Sequence, residues 1–284
     1  MLIDVRDTSL YVDQRGAADA PPLLFLHGGP GSGSYDFLSF QGDRLAERLH
    51  VIGVDQRGIQ QSASDTGPIS EHLLIADFEA LREALGLESW SILGHSFGGR
   101  LALRYAVQHP KTVSKVIFEN PAWDVVLNTD TLMRAALPLL PEGAVAPAHE
   151  GAATRQMWDE RIEFVRELGD RRMEIYLGPD TQDLELPADT AFSDEVHARA
   201  THFYEELASS GDFFESLLPL LAQVDQPALL IKGGHDPVTS PEEIARFQAD
   251  VPKGTYYLEA TAGHFAHAEA ADAYTRLVTD FVLS

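Results

Sequence analysis

The sequence predicts an α/β fold: a mostly parallel central sheet flanked by helices, with an inserted all-helical cap. Short apolar runs rich in β-formers alternate with segments of helical periodicity over residues 1–120, and the pattern resumes after residue 222. Residues 121–221 between them contain no convincing strand pattern. A serine between two glycines also follows an apolar run, as at a sharp strand-to-helix turn. The length of 284 residues suffices for one large core with an insertion.

Seven short segments have the composition of strands, and several of them are apolar almost throughout. Continuous apolar character predicts burial on both faces, which is typical of a parallel sheet covered by helices. The predicted strands are Leu10–Asp13, Leu23–Leu26, Val51–Val54, Ser91–Leu93, Val113–Phe118, Ala228–Ile231 and Thr255–Leu258.

Helical spacing appears between the early strands and again at the end of the chain. The predicted helices are Asp36–Leu49, His72–Leu85 and Phe97–His109, with Gly86 at the usual stop position after the second. A terminal helix has an apolar inner face formed by Tyr274, Leu277, Val278, Phe281 and Val282. Helices between strands predict βαβ units and therefore parallel pairing.

The interval 121–221 carries amphipathic stretches such as Trp158, Ile162, Val165 and Leu168. We predict a catalytic domain formed by residues 1–120 and 222–284, and a helical cap formed by residues 121–221. Open α/β folds bind ligands beyond the carboxyl ends of their strands, so the cap is expected to cover that edge. A second domain without a catalytic role is the alternative.

Composition limits the class of protein and its partners. Forty-four acidic against 21 basic side chains give a net charge of −23, which opposes binding to nucleic acid or to an anionic membrane. The absence of cysteine excludes disulfides, thiolate metal ligands and a cysteine nucleophile. The charged beginning Met1–Asp7 and the lack of a long apolar run predict a cytoplasmic protein without a membrane span.

The segment Gly94-His95-Ser96-Phe97-Gly98 is the first candidate for chemistry. Its glycines suit a turn so tight that side chains there would clash, and Gly99 adds room behind it. Such a turn exposes a serine hydroxyl, so Ser96 is the predicted nucleophile.

A serine nucleophile needs a base and a group that orients the base. Asp236 follows the predicted strand Ala228–Ile231, and His264 follows Thr255–Leu258, each after a short turn. We therefore predict that His264 accepts the Ser96 proton and that Asp236 holds the histidine. Asp236 precedes Pro237 and is alternatively a turn former, in which case Glu119 or Asp124 would supply the acid.

The spacing of the histidines gives little support for metal or other cofactor chemistry. His264 and His267 could form a metal-binding pair, but no third ligand has motif-like spacing, so neither a metal nor another cofactor is expected.

The segment His27-Gly28-Gly29-Pro30-Gly31 directly follows the predicted strand Leu23–Leu26. Glycines let a backbone N–H turn toward a substrate carbonyl, so the N–H groups of Gly29 and Phe97 are the predicted oxyanion hole. A phosphate-binding loop fits poorly, because the Gly-Lys-Ser/Thr ending and the final glycine of a dinucleotide fingerprint are both missing. A structural glycine-rich turn is the remaining alternative.

These motifs, together with Asp55-Gln56-Arg57-Gly58, make the chain resemble α/β-hydrolases of the prolyl aminopeptidase (proline iminopeptidase) family. The resemblance covers the whole predicted catalytic domain, implies the same roles for Ser96, Asp236, His264 and Gly29, and implies a helical cap over the site. Related esterases and lactonases share most of these motifs.

Three positions depart from that family. Gln60 stands where the family has a glycine after Asp-Gln-Arg-Gly, and Phe97 stands where it has tryptophan after the nucleophile. His95 before the nucleophile is as in many esterases. Prolyl aminopeptidases hold the substrate's amino group with cap carboxylates, and here Trp158-Asp159-Glu160 and Glu205-Glu206 are the loose matches.

The predicted substrate contacts are Gly28, His95, Trp158 and Tyr204, the last beside Phe203 in a partly apolar pocket. The sequence thus predicts a cofactor-independent serine hydrolase that acts on a small molecule or short peptide. Prolyl-aminopeptidase-like cleavage is slightly favoured over esterase or lactonase action. A non-catalytic small-ligand receptor is the alternative from another class, whereas a dehalogenase or epoxide hydrolase would resemble the family with aspartate at position 96.

Overall fold

The computed structural model describes residues 1–63 and 67–284, whose strands form one eight-stranded sheet. The strands are β1 (Leu2–Val5), β2 (Thr8–Arg15), β3 (Pro22–Leu26), β4 (His50–Val54), β5 (Trp90–His95), β6 (Val113–Glu119), β7 (Ala228–Gly233) and β8 (Gly254–Glu259). Their spatial order is β1-β2-β4-β3-β5-β6-β7-β8. The pairs β1–β2 and β2–β4 are antiparallel, and all the later pairs are parallel.

Helices cover both faces of this sheet. The α-helices are α1 (Tyr35–Phe37), α2 (Asp43–Ala46), α3 (Glu71–Ala84), α4 (Phe97–Gln108), α5 (Val125–Ala136), α6 (Arg155–Arg166), α7 (Ala188–Ala191), α8 (Asp194–Ser210), α9 (Pro241–Asp250), α10 (Ala266–Glu269) and α11 (Ala271–Leu283). A π-helical turn occupies Leu38–Gly42, and 3₁₀ turns occupy Leu137–Leu139, Gly169–Ile175, Pro179–Thr181, Asp212–Phe214 and Leu218–Gln223.

The central strands are apolar throughout because both of their faces are covered. Leu24 and Ile92 join one buried core, whereas their neighbours Leu23 and Leu93 join a second core on the opposite face. This is the alternation that successive side chains of a strand must show. The predicted α/β class and mostly parallel sheet are therefore confirmed.

All seven predicted strands are present, and the prediction missed β1. That strand lies at the sheet edge, where Leu2 is exposed, so the continuous apolar signal of a buried strand is lacking. Gly86 has φ +68° just beyond α3, as predicted for a helix stop.

The predicted helix Asp36–Leu49 is helical without a gap from Asp36 to Ala46, but Leu38–Gly42 within it forms a π-helical turn, and the helix ends before Leu49. The Arg15 guanidinium donates a hydrogen bond to the carbonyl oxygen of Leu38 at 2.9 Å, where the backbone takes up the π-helical turn. Gln41 is buried there and donates to the carbonyl oxygens of His267 and Ala271 at 2.7 and 3.0 Å. These distant contacts are invisible to local periodicity.

The segment from Asn120 to Pro227 is described in full, and it contains helices and turns but no strand. Leu132, Phe164, Val165 and Leu168 belong to a third, smaller core, which also includes Val238 from the loop after β7. The first helix of the segment is tied to α9 by Glu243, which accepts hydrogen bonds from the Trp123 N–H and the Asn128 amide, both at 2.8 Å. Among the helices that the structure describes, none is long and apolar enough to cross a membrane.

Candidate active site

Ser96 stands at the turn between β5 and α4, in a conformation that few residues adopt. Its backbone angles are φ +55° and ψ −119°, far from those of a regular helix or strand. A non-glycine residue held there stores strain of roughly 1–3 kcal/mol, which the surrounding packing must offset. The strained turn presents Ser96 to a cavity at the carboxyl edge of the sheet.

The neighbouring glycines are required by close backbone contacts. A Cβ atom on Gly94 would lie 2.2 Å from the Gly98 carbonyl oxygen, and one on Gly98 would lie 2.0 Å from the carbonyl oxygen of Leu26. A Cβ on Gly99 would lie 2.6 Å from the Cβ of Pro121. Alanine at any of these positions would therefore force the turn open, as the sequence pattern indicated.

Asp236 and His264 come together from the loops after β7 and β8. The Nδ1 atom of His264 lies 2.6 Å from Oδ1 of Asp236, and both side chains are buried. The Asp236 carboxylate also accepts the N–H groups of Val238 at 3.1 Å and Thr239 at 2.9 Å. His264 lines the same cavity as Ser96.

The Asp236 carboxylate is held ionised despite its burial. Burial by itself raises the pKa of Asp236, but the Lys232 charge and the hydrogen bond from His264 together hold that pKa well below its usual value. An ionised carboxylate fixes the adjacent N–H of the imidazole and leaves the other ring nitrogen free to accept a proton.

The backbone N–H groups of Gly263–Phe265, here called the histidine loop, are bonded to two partners. Glu269 accepts the N–H groups of Gly263 and Phe265, each at 3.0 Å, and the His264 N–H donates to the carbonyl oxygen of Tyr176 at 2.6 Å. Tyr176 belongs to the helical segment between β6 and β7, so that segment helps to fix His264.

Two further side chains hold the same loop from the sheet side. The carbonyl oxygen of His264 accepts Asn120 Nδ2 and contacts His95 Nε2, both at 2.9 Å. Asn120 Oδ1 also accepts the Gly233 N–H at 2.8 Å, which links the histidine loop to the end of β7. Sequence reasoning missed Asn120 and Glu269, because their partners are distant in the chain.

Changing Glu269 to glutamine is expected to lower turnover about 10- to 100-fold with little change in KM. The carboxylate also accepts the Gly178 N–H and the Thr181 hydroxyl, both at 2.6 Å, and an amide NH₂ cannot accept any of these bonds. Misplacing a catalytic base by about 1 Å can cost about a hundredfold.

Steady-state kinetics normalised to folded protein by circular dichroism would check this expectation. The control is Glu174→Gln. Glu174 lies in the helical segment that Glu269 contacts through Gly178, but its carboxylate pairs with exposed Arg171 at 2.9 Å. Equal rates for the two variants would show that the Glu269 contacts do not position His264.

The two alternative acids have other partners. Glu119 accepts hydrogen bonds from the His267 N–H and the Tyr274 hydroxyl at 2.9 and 2.8 Å, and its carboxylate lies 2.9 Å from His267 Nδ1. Although burial raises the pKa of Glu119, the contacts with His267 lower it to about 2. Asp124 instead accepts the N–H groups of Val126 and Leu127 at the start of α5. Asp236 is thus the carboxylate that contacts His264.

One cluster among the described residues could bring three metal-ligating atoms together. The ligand atoms of His95, Glu119 and His267 lie within 4.8 Å of one another, and all three residues are buried. Of the pair His264 and His267 that the sequence suggested, only His267 belongs to this cluster, and its other members are His95 and Glu119. These groups are already committed to protein hydrogen bonds, which an ion would have to displace. Burial also lowers the pKa of His95 to about 3, so its imidazole is neutral.

The glycine-rich loop after β3 lies directly against the nucleophile turn. A Cβ on Gly28 would lie 3.0 Å from the Cβ of Ser96, and Gly29 has φ +112°. Phe97 is the first residue of α4, whose amino end carries partial positive charge. Gly29 and Phe97 both line the cavity with Ser96, where an oxyanion hole would be needed.

The Asp-Gln-Arg-Gly motif forms hydrogen bonds with this loop and with the residues that follow it. Asp55 accepts the Ser34 N–H and hydroxyl at 2.9 and 2.8 Å, and the Gln56 N–H donates to His27 Nε2 at 3.1 Å. Gln60 donates through Nε2 to the Ser32 carbonyl oxygen at 2.5 Å and lines the cavity. The glutamine that departs from the family pattern therefore braces the loop.

The cavity has a volume of about 1200 Å³ and receives side chains from the helical segment between β6 and β7. All four predicted substrate contacts line it, namely Gly28, His95, Trp158 and Tyr204. The Tyr204 hydroxyl donates to Asp159 at 2.7 Å, and Trp158 packs edge-on to Phe213. Asp159, Glu160, Glu163 and Glu167 are among the residues that line the cavity, whereas Glu205 and Glu206 are not.

Comparisons with known proteins agree with this architecture. A family model described as alpha/beta hydrolase fold matches residues 21–271. A putative proline iminopeptidase of Mycoplasma genitalium is 37% identical over 109 residues, a match that covers 38% of this chain and 35% of that protein. The match therefore spans about a third of the length of that curated relative.

Solved structures extend the similarity of fold over the whole chain. A proline iminopeptidase-related protein of Thermus thermophilus superposes with a TM-score of 0.79 at 21% identity, covering 100% of this chain and 96% of that one. The enol-lactonase of Burkholderia xenovorans LB400 superposes with a TM-score of 0.71 at 20% identity, covering 100% of both chains.

Proposed function

The chain belongs to the α/β-hydrolase fold family, and from this premise we propose that it is a serine hydrolase that works through an acyl-enzyme on Ser96. One observation carries the proposal: His264 contacts Asp236 at 2.6 Å and lines the same cavity as Ser96, which occupies a strained turn. Acyl transfer needs a nucleophile, a base and an acid that orients the base, whereas the binding of a ligand needs none of these groups.

In the proposed first step, Ser96 Oγ attacks the substrate carbonyl carbon while His264 Nε2 takes the hydroxyl proton. The tetrahedral oxyanion accepts hydrogen bonds from the N–H groups of Gly29 and Phe97. The imidazolium, stabilised by Asp236, then returns the proton to the leaving group, and the acyl group stays on Ser96. Water, deprotonated by His264, attacks the acyl-enzyme; the bond to Ser96 Oγ then breaks, His264 returns the proton to that oxygen, and the acid is released.

We propose a prolyl-aminopeptidase-like substrate, a short peptide or amide with a free amino terminus. The named relatives support this, and so do the carboxylates on the α6 side of the cavity. An ammonium group taken out of water requires such a carboxylate partner. We further propose that residues 121–221 act as a cap, since Trp158 and Tyr204 border the space above Ser96.

Ester or lactone hydrolysis is the second candidate. Phe97 departs from the aminopeptidase pattern, His95 before the nucleophile is as in many esterases, and the fold is also shared with an enol-lactonase. Both candidates use the same residues for catalysis and differ in the groups that the cap recognises.

A substrate panel separates these candidates. We expect L-proline p-nitroanilide to be cleaved several-fold faster than its N-acetylated form, since an ion pair with an exposed carboxylate such as Asp159 is worth at most about 1 kcal/mol. Efficient turnover of p-nitrophenyl acetate or butyrate with no arylamide turnover would establish the esterase alternative. No turnover at all, with no labelling by a fluorophosphonate, would favour the non-catalytic receptor.

The cap carboxylates give a sharper expectation. Asp159→Asn should raise KM for L-proline p-nitroanilide several-fold and leave ester turnover unchanged, because the asparagine oxygen can still accept the Tyr204 hydroxyl. The effect is modest because Asp159 is half exposed and paired with Arg155. Glu205→Gln is the matched control, since Glu205 lies on the cap outside the cavity. If both variants keep the wild-type KM, Asp159 does not bind the amino group.

A further inference from the structure

A buried lysine stands directly behind the candidate acid. Lys232 is the only charged residue of β7, whose preceding residues Ala228–Ile231 are all buried and apolar. Its side chain is only 8% exposed. A lysine is rarely buried unless its charge has a specific partner.

The Lys232 ammonium uses its three protons on three acceptors around Asp236. Nζ donates to the carbonyl oxygen of Gly233 at 2.7 Å, to that of Asp236 at 2.8 Å and to Asp236 Oδ2 at 2.9 Å. The other carboxylate oxygen, Oδ1, faces His264 Nδ1 at 2.6 Å. The carboxylate therefore lies between the lysine and the histidine.

We infer that Lys232 is a positioning residue that neutralises the charge of the Asp236–His264 pair and keeps His264 available as a base at lower pH. This inference rests on the proposed function, because only a serine hydrolase needs His264 as a base. Lys232 acts through Asp236 and does not touch the substrate, since it does not belong to the described residues that line the cavity.

The other charged and titratable groups around Asp236 and His264 do not supply a second positive charge in place of Lys232. On the β5 and β6 side, neutral His95 has its ring 4.6 Å from that of His264, and Glu119 is bonded to His267. On the cap side, the Tyr176 ring lies 5.5 Å from the His264 ring. Burial raises the pKa of Tyr176 to about 12, although the nearby charge of Arg172 opposes that shift.

Below the histidine loop, Glu269 is bonded to the loop amides. Among the described residues, Lys232 is the cation in contact with the Asp236 carboxylate.

The direction of the effect follows from charge counting. With Lys232 present, the lysine, the carboxylate and a neutral imidazole sum to zero charge. Without it the group carries one negative charge, which binds a proton more readily. His264 would then hold its inactivating proton up to a higher pH. The acid limb, the fall in activity on the acidic side of the pH profile, would therefore lie at a higher pH.

The experiment measures the rate of fluorophosphonate labelling against pH for wild type, Lys232→Met and Lys232→Gln. Methionine keeps the length of the side chain, and glutamine keeps an NH₂ donor, so at least one variant is expected to fold. We predict that the midpoint of the acid limb rises by about one pH unit in both variants, which lowers the rate tenfold at a fixed pH below the limb.

Lys115→Met is the matched control. Lys115 is on the adjacent strand β6, and its ammonium also donates to a backbone carbonyl, that of Phe281 at 2.7 Å. It lies away from the cavity, so its removal should leave the acid limb in place.

A limb that stays within about 0.3 pH unit of wild type in folded Lys232 variants would overturn the inference. The titration of the His264 ring, followed by nuclear magnetic resonance and assigned with His264→Gln, tests the same shift without activity. If wild type were not labelled at Ser96, the proposed function would fail. An unshifted ring titration would defeat the role of Lys232 on its own.

Discussion

Ser96→Ala is expected to lower turnover of the preferred arylamide or ester by about 10⁴-fold or more. The change removes the attacking oxygen but keeps a Cβ at the strained turn, so the fold should be retained. Turnover per folded molecule, measured on the panel above, checks this. Ser91→Ala is the control, because Ser91 is a buried serine on β5, the strand that leads to Ser96, and its hydroxyl contacts Ser114.

A residual rate in Ser96→Ala within tenfold of wild type would mean that another group attacks the substrate. The background expected from binding and the oxyanion hole alone is far smaller, since those contributions leave only about 10³–10⁴-fold catalysis over water.

Asp236→Asn is expected to cost about 10⁴-fold in turnover, because an amide NH₂ facing His264 holds the imidazole in the wrong tautomer. The variant also leaves the buried Lys232 ammonium without its anion, and breaking a buried pair costs about 3–5 kcal/mol of stability. Denaturant unfolding and turnover per folded molecule therefore have to be measured together.

Glu119→Gln is the informative comparison for Asp236→Asn. Glu119 is buried and bonded to a histidine, as Asp236 is, but that histidine is His267. The variant should keep turnover within about tenfold of wild type, since a positioning contact outside the triad is affected. A larger loss in Glu119→Gln than in Asp236→Asn would reverse the assignment of the acid.

The parts of the candidate site that the sequence and the structure place alike are those with a local signal. The nucleophile turn needs Gly94 because of a contact within a few residues and Gly98 because of the adjacent strand β3, so this part of the pattern is visible in the chain. Asp236 and His264 each follow a strand of the expected composition, and parallel strands bring their carboxyl ends to one edge. The pairing at 2.6 Å follows from that topology.

The features that the sequence did not reveal depend on contacts between distant segments. Asn120 bonds to His264 across a separation of 144 residues, and Glu269 joins the histidine loop to Gly178, which is 91 residues away. The π-helical turn at Leu38–Gly42 likewise involves Arg15 and the start of α11. Lys232 did leave a signal, since a lysine at the end of the apolar run Ala228–Ile231 is unexpected unless it is paired.

The substrate is the part that motifs predict least well. The cavity wall combines Trp158 and Asp159 from α6 with Tyr204 from α8, and periodicity alone does not tell which face of each helix turns inward. Of the two acidic segments that the sequence suggested, only the one beside Trp158 lines the cavity.

The central claim is that Ser96 becomes covalently acylated, and mass spectrometry tests it most directly. Wild type, Ser96→Ala and Ser91→Ala would each be treated with a fluorophosphonate, and also rapidly quenched in acid during turnover of p-nitrophenyl butyrate, before peptide mapping. The proposal predicts a single adduct on Ser96 in wild type and Ser91→Ala, and none in Ser96→Ala. An adduct on another residue, or an unmodified wild type that still turns over substrate, would contradict it.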